Sequence, residues 1–214
     1  VAITFDDAYA GAVTAGVDEL RARRLPATIF VSPAFIGGQA FWWDDLVSPP
    51  RTTLETAVRE RALDEFRGID AAIRIGLAAV SCDRMPPFAR AASEEQLRQV
   101  SVTPGITLGS HSWSHPNLSR LAERELVDEL TASLQWLQQR HPAATIPWLS
   151  YPYGLNGPAV RKAAEHAGYR AGLCIEGGWL EASAQDPFAI PRLNVPAGLS
   201  RDGFALRLAG LVRS

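Results

Sequence analysis

The chain has 214 residues, 47% hydrophobic and 21% charged, with a formal net charge of −2. That is ordinary globular composition, long enough to bury one substantial core. Mixed charge without a basic block argues against nucleic acid as partner, and no apolar run approaches the roughly 18 residues of a membrane span.

The elements alternate along the chain. "AITF" reads as a buried strand, and the next segment sets Val13, Val17 and Leu20 on one face of a helix. Pro26 breaks that helix before a second strand, "ATIFVS". Residues 38–104 are too long for a simple connection and are expected to form a variable helical insertion. They carry "FWWDD", the Pro49, Pro50 break, a charged helical stretch over about 54–80, and "RMPPF". "ITLGSHS" is the third strand. The helix over 118–139 sets Leu126, Leu130, Leu134 and Leu137 in a stripe that includes Val127. "TIPWLSYPYG" is a strand ending in a turn, and "GPAVRKAAEHAG" is a helix with Pro158 near its start and Gly168 just past its end. "YRAGLCIE" and "FAIPRLNV" are two more strands, and "RDGFALRLAGLV" is a closing helix. This alternation predicts an α/β fold with a largely parallel sheet. In such folds chemistry gathers at the carboxyl ends of the strands.

Three of those ends are polar: "TFDD", "GSHSWSH" and "SYPYG". "TFDD" places Asp6 and Asp7 side by side, and burying an ionised carboxylate costs several kcal/mol unless it is paired or metal-bound. "HSWSH" places His111 and His115 four apart, within reach of one ion, although backbone-bonded loop histidines satisfy the same spacing. A catalytic zinc commonly takes three protein ligands and leaves a position for water. One carboxylate of "FDD" fits the third ligand, and its neighbour fits a base directed at that water. Cys82 and Cys174 match no zinc spacing, and Cys174 reads as a small core residue.

"TFDDAY", "LPATIFV", "HSWSH" and "SYPYG", in that order, resemble the polysaccharide deacetylases of the NodB-homology type, carbohydrate esterase family four, in the subgroup with "F(A/S)YPYG". The resemblance runs from residue 1 to about 195, with 38–104 poorly matched. It implies a distorted (β/α)7-type barrel, a single domain over 1–214, and a hydrolase that removes acetyl from an N-acetylated amino sugar or glycan. It further implies that Asp6 is the base, that Asp7, His111 and His115 hold a divalent metal, zinc first among them, and that the backbone N–H of Tyr153 helps hold the oxyanion. Where many members have an arginine that orients the base, this chain has Ser150. Arg192 in "IPRLNV" is the candidate replacement partner of Asp6, with a rim salt bridge as the alternative. The family's late histidine acid has no counterpart, since no histidine follows His166. Two other readings therefore stay open: a glycan- or metal-binding domain without catalysis, and a hydrolase of another small acetylated metabolite. Trp42, Trp43 and Trp179 are candidates to stack on sugar rings, with plain packing as the alternative. The chain starts inside a strand without a methionine, so we expect a domain lacking part of a longer N-terminus. Compartment and oligomeric state are not assigned by the sequence.

Overall fold

A computed structural model describes residues 2–47, 54–77, 85–179, 186–195 and 198–211. Pro49, Pro50 and Cys82, named above, lie outside them. Six parallel strands among the described residues form one sheet in the order β1-β2-β3-β4-β5-β6. They are β1 (Ile3–Phe5), β2 (Ala27–Val31), β3 (Ile106–Ser110), β4 (Thr145–Ser150), β5 (Ala171–Gly177) and β6 (Ile190–Arg192), each within a segment the sequence marks as a strand except that β5 runs one residue further, to Gly177. The sheet curls into a half-barrel with helices around it, the distorted α/β barrel expected.

β2 shows why the strands run parallel. Ile29, Phe30 and Val31 are all fully buried, so both faces of the strand are covered, as βαβ crossovers require. Each such side chain contributes roughly 1.5–3 kcal/mol relative to exposure. On one side of the sheet, Ile29 and Val31 join Val13, Val17 and Leu20 in a cluster with Leu97 and Val100. These last two belong to α5 (Glu94–Ser101), which starts on a capping box between Ser93 and Gln96. A second cluster packs Leu149 and Tyr151 against α6 (Glu123–Arg140) and α7 (Pro158–His166). The register is regular from β1 to β3, with Phe5 opposite Ile29 and Val31 opposite Ser110. It shifts between Leu108 and Ser110 where β3 meets β4. Gly109 sits at that shift because a Cβ there would meet the Phe30 ring at 2.5 Å and the Trp148 carbonyl at 3.1 Å.

Three local differences from the sequence reading have physical causes. The first helix opens with a π-helical turn, Ala12–Gly16, before α1 (Val17–Arg23). Thr14 Oγ1 donates to the Ala10 carbonyl at 2.6 Å in that turn, a widening frequent next to functional sites. On α6, Leu126, Leu130, Leu134 and Leu137 are buried, but Val127 is exposed, one residue and about 100° beyond the stripe. The charged stretch is two helices, α3 (Thr56–Asp64) and α4 (Asp70–Gly76), separated at Gly68 with φ +69°. With α2 (Trp42–Leu46) and α5, these make residues 38–104 largely helical where described. After β6 comes α8 (Arg201–Leu208). No helix among the described residues is long and apolar enough to cross a membrane.

Candidate active site

Parallel register brings the strand ends to one edge. Asp6 and Asp7 leave β1, His111 leaves β3, Tyr151 leaves β4, and Arg192 ends β6. They line a cavity of about 580 Å³ together with Tyr153, Trp42 and Trp43. The chain between strand and helix is bent hard here. Asp7 (φ 68°), Ala8 (φ 49°), Ser112 (φ 61°), His115 (φ 58°) and Tyr153 (φ 58°) all lie in the left-handed region without being glycine. Each costs of order 1–3 kcal/mol and persists because the surroundings over-determine it.

The bend at Asp7 separates the two acids. Asp7 Oδ1 lies 3.6 Å from His111 Nε2 and 3.4 Å from His115 Nε2, and the two imidazole nitrogens are 3.1 Å apart. A tetrahedral ion with bonds of about 2.0–2.2 Å keeps its ligand atoms roughly 3.3 Å from one another. Asp7 Oδ1 is buried and has no hydrogen-bond partner among the described residues, as a ligand atom waiting for a cation would be. His111 Nδ1 donates to the Ser150 carbonyl at 2.7 Å, which fixes the tautomer and leaves Nε2 with its lone pair toward Asp7. Burial lowers the pKa of both imidazoles, and His111 lowers His115 further, so both favour the neutral form that binds metal. Burial, with Asp6 and Asp44 as like charges, pushes the Asp7 carboxyl well above the usual range. A cation reverses that penalty. Among the described residues these are the only three metal-type side chains whose ligand atoms all fall within 4.8 Å of one another, and on donor type, spacing and the unpartnered oxygen they fit a divalent metal such as zinc.

Asp6 stands beside that group, its Oδ2 3.9 Å from His111 Nε2, and is held from its other side. Arg192 grips it with two bonds, Nη1 to Oδ1 at 2.8 Å and Nη2 to Oδ2 at 2.7 Å, and Ser150 Oγ donates to Oδ2 at 3.1 Å. Burial pushes the Asp6 carboxyl up, but His111, Arg192 and Ser150 outweigh it and bring it to about 2. Arg192 itself is held by Nε donating to the Cys174 carbonyl at 2.7 Å and Nη1 to Thr4 Oγ1 at 3.2 Å. Its side chain therefore links β6, β5, β4 and β1, spanning the open side of the half-barrel. The structure places this arginine on Asp6 and not on the rim.

The aromatic residues divide. Tyr153, Trp43 and Phe41 surround the His115 ring with centroids at 4.5, 4.9 and 5.9 Å. Trp42 is only 2% exposed, and its indole N–H donates to Tyr153 Oη at 3.0 Å. Trp43 is partly exposed, and its N–H donates to Tyr9 Oη at 2.9 Å, which in turn donates to Asp44 Oδ2 at 2.8 Å. Trp179 is 50% exposed and is not among the residues lining the cavity. The backbone N–H of Tyr153 has no partner among the described residues, while Gly154 N donates to the Tyr151 carbonyl at 2.8 Å. His166 is exposed on α7 and is not among the residues lining the cavity.

Two supports escaped the sequence reading. Tyr9 stands in "TFDDAY" and was visible only as part of that string. Glu129 on α6 accepts from both the backbone N–H and the hydroxyl of Ser114, which pins the loop between the two histidines. A glutamate on a helix face carries no local sign of that task.

Comparison with known proteins agrees with this geometry. The family model described as polysaccharide deacetylase matches residues 1–172. YxkH, a protein of Bacillus subtilis (strain 168) assigned to the polysaccharide deacetylases, is 31% identical over 113 residues, 52% of this chain and 39% of that protein. The match thus spans well under half of that relative's length. Among solved structures, the deacetylase PplD of Streptococcus pyogenes, in complex with acetate, superposes with a TM-score of 0.63 at 16% identity, over 95% of this chain and 68% of that one. IcaB from Ammonifex degensii gives a TM-score of 0.64 at 15% identity, over 100% of this chain and 73% of that one. At such identities the superpositions speak to the fold, and the family model speaks to descent. On that model, which covers most of its length, the chain belongs to the polysaccharide deacetylase family.

Proposed function

We propose that this protein is a metal-dependent hydrolase that removes acetyl from an N-acetylated amino sugar or glycan. One observation carries the reading: three converging ligand atoms, one of them buried and unpartnered, lie beside a second aspartate that an arginine clamps in the ionised form. Family membership and the acetate in the Streptococcus pyogenes deacetylase support the reaction class.

Asp7, His111 and His115 would hold the cation, which supplies Lewis-acid polarisation of the acetyl carbonyl and an acidified water. Asp6 accepts the proton from the attacking water and gives it up to the departing amine nitrogen as the C–N bond breaks, so that amide and water become acetate and a free amine. Arg192 and Ser150 orient its carboxylate and keep it unprotonated at neutral pH, leaving the base ready at every turn of the cycle. The free N–H of Tyr153 donates toward the oxygen that becomes negative, an interaction worth about 3 kcal/mol in comparable sites. Its left-handed backbone is held by the Trp42 bond to its hydroxyl. Trp43 offers the partly exposed face on which a sugar ring stacks, while Trp42 backs Tyr153, and Trp179 would contribute only to a substrate long enough to extend past the cavity.

The test is acetate release from a panel of N-acetylated sugars by zinc-loaded protein. Asp6→Asn should lower turnover by about 10²–10⁴-fold and leave zinc content unchanged. Zinc lost on that change would mean that the roles of the two aspartates are reversed. A second reading, binding without turnover, follows from the cavity lining, where His111 and His115 are the only histidines among the described residues. Wild-type protein that binds zinc and glycan but releases no acetate would establish it.

A further inference from the structure

Among the described residues the cavity lining holds two arginines, and they differ in availability. Arg192 is saturated: Nε, Nη1 and Nη2 make five hydrogen bonds to Cys174, Thr4, Asp6 and Ser150. Arg59, at the end of the first turn of α3, lines the same cavity, is exposed, and makes no ion pair or side-chain hydrogen bond among the described residues. Among the described residues the acids of the lining are Asp6 and Asp7. Asp6 is neutralised by Arg192, and Asp7 points into the histidine pair. Neither is open to Arg59. A guanidinium facing a binding cavity with all its donors unused is matched by a carboxylate or phosphate, which its planar fork bonds bidentately. Other arginines of the helical segment are engaged, Arg61 with Glu65, and Arg74 with Asp70 and Asp45. Asn194 adds an amide to the lining.

We propose that Arg59 forms an anion subsite at the outer wall of this cavity, so that the substrate is an N-acetylated glycan carrying a carboxylate or phosphate group. The proposal rests on the deacetylase reading for the acetyl group but predicts binding independently of turnover. The two anion sources are separated by paired ligands of matched size. A hyaluronan tetrasaccharide is compared with N-acetylchitotetraose, and N-acetylglucosamine 6-phosphate with N-acetylglucosamine.

Calorimetry on the zinc-loaded full chain should show at least one anionic ligand binding about tenfold more tightly than its neutral pair. That ratio should fall toward one in Arg59→Gln, and keep part of its value in Arg59→Lys, which retains charge but loses the fork. It should also shrink as salt rises from about 0.05 to 0.5 M. A wild-type ratio at or below one for both pairs, or a ratio unchanged in Arg59→Gln, overturns the subsite. Acetate release from the same ligands is scored separately. Release from the neutral ligands with no anionic preference overturns the subsite and leaves the deacetylase reading intact. Arg59-dependent binding without acetate from any ligand does the reverse.

Discussion

At the residue scale, the two neighbouring aspartates have opposite environments. Asp6 is brought to about 2 by partners that overcome its burial, whereas burial and like charge push Asp7 well above the usual carboxylate range. The Asp6 contribution to stability is therefore present above its unfolded value near 4 and lost as pH falls through about 2. Replacing Arg192 with Gln removes two charge-assisted bonds and strands a largely buried carboxylate. We expect a loss of about 2–3 kcal/mol at neutral pH, somewhat below the cost of breaking a fully buried pair, read from urea midpoints. Asp6→Asn/Arg192→Gln should recover part of it, and additive losses would mean that the two residues do not act as a pair. Asp44 shows the opposite sign. Burial raises its carboxyl to about 6, and the Tyr9 bond only partly offsets this. That raised value gives stability fully present below about pH 4 and lost as pH rises through about 6. Asp44→Asn should thus be more stable than wild type at pH 8 by on the order of 1–2 kcal/mol, with the gain shrinking toward pH 4. A gain independent of pH would place its origin outside this titration.

At the element scale, the helical segment 54–77 is docked on the loop that carries the histidines. Asn117 N donates to the Arg67 carbonyl at 2.9 Å, and Asn117 Nδ2 to the Leu63 carbonyl at 3.0 Å. Gly68 makes this approach possible. It has φ +69°, and a Cβ there would meet Asn117 N at 2.5 Å and the Tyr153 ring at 3.2 Å. Gly68→Ala combines a disfavoured φ with a backbone clash, so we expect a loss of about 2–3 kcal/mol. Because the clash falls two residues after His115 and on the Tyr153 ring that packs against it, zinc affinity should weaken as well. Unchanged zinc affinity beside a lowered thermal midpoint would show that this docking supports the fold but not the metal site.

At the scale of the whole molecule, the sheet is an open half-barrel closed by side chains. Arg192 ties β6 to β1, and a cation held by Asp7, His111 and His115 would tie the end of β1 to the loop after β3. Metal at about 100 times its dissociation constant stabilises the folded state by roughly 2.7 kcal/mol. For a chain of this size that is a rise in thermal midpoint of about 5–10 °C. Zinc should produce that rise, a chelator should reverse it, and His115→Ala should abolish it. A rise that survives in His115→Ala would locate the bound zinc elsewhere.

Much of this was legible in the chain itself. Strand–helix alternation is a local pattern, so the α/β class and all six strand positions followed from apolar runs and from Pro and Gly breaks. The acids and histidines at strand ends were legible for a related reason: ionisable groups directly after buried strands need a purpose that packing does not supply. Val127 and the π-turn were missed because a single residue's angle about a helix, or a turn's extra residue, depends on neighbours that periodicity does not see. What only the tertiary structure decided is long-range. Arg192 reaches Asp6 across 186 positions of sequence, and the left-handed backbone at Asp7 turns one carboxylate to the histidines and its neighbour to the arginine. Both depend on the parallel sheet bringing its carboxyl ends to one edge. The sequence by itself singled out the candidate residues, because ionisable side chains after buried strands stand out locally, and the curl of the sheet decided which of them meet.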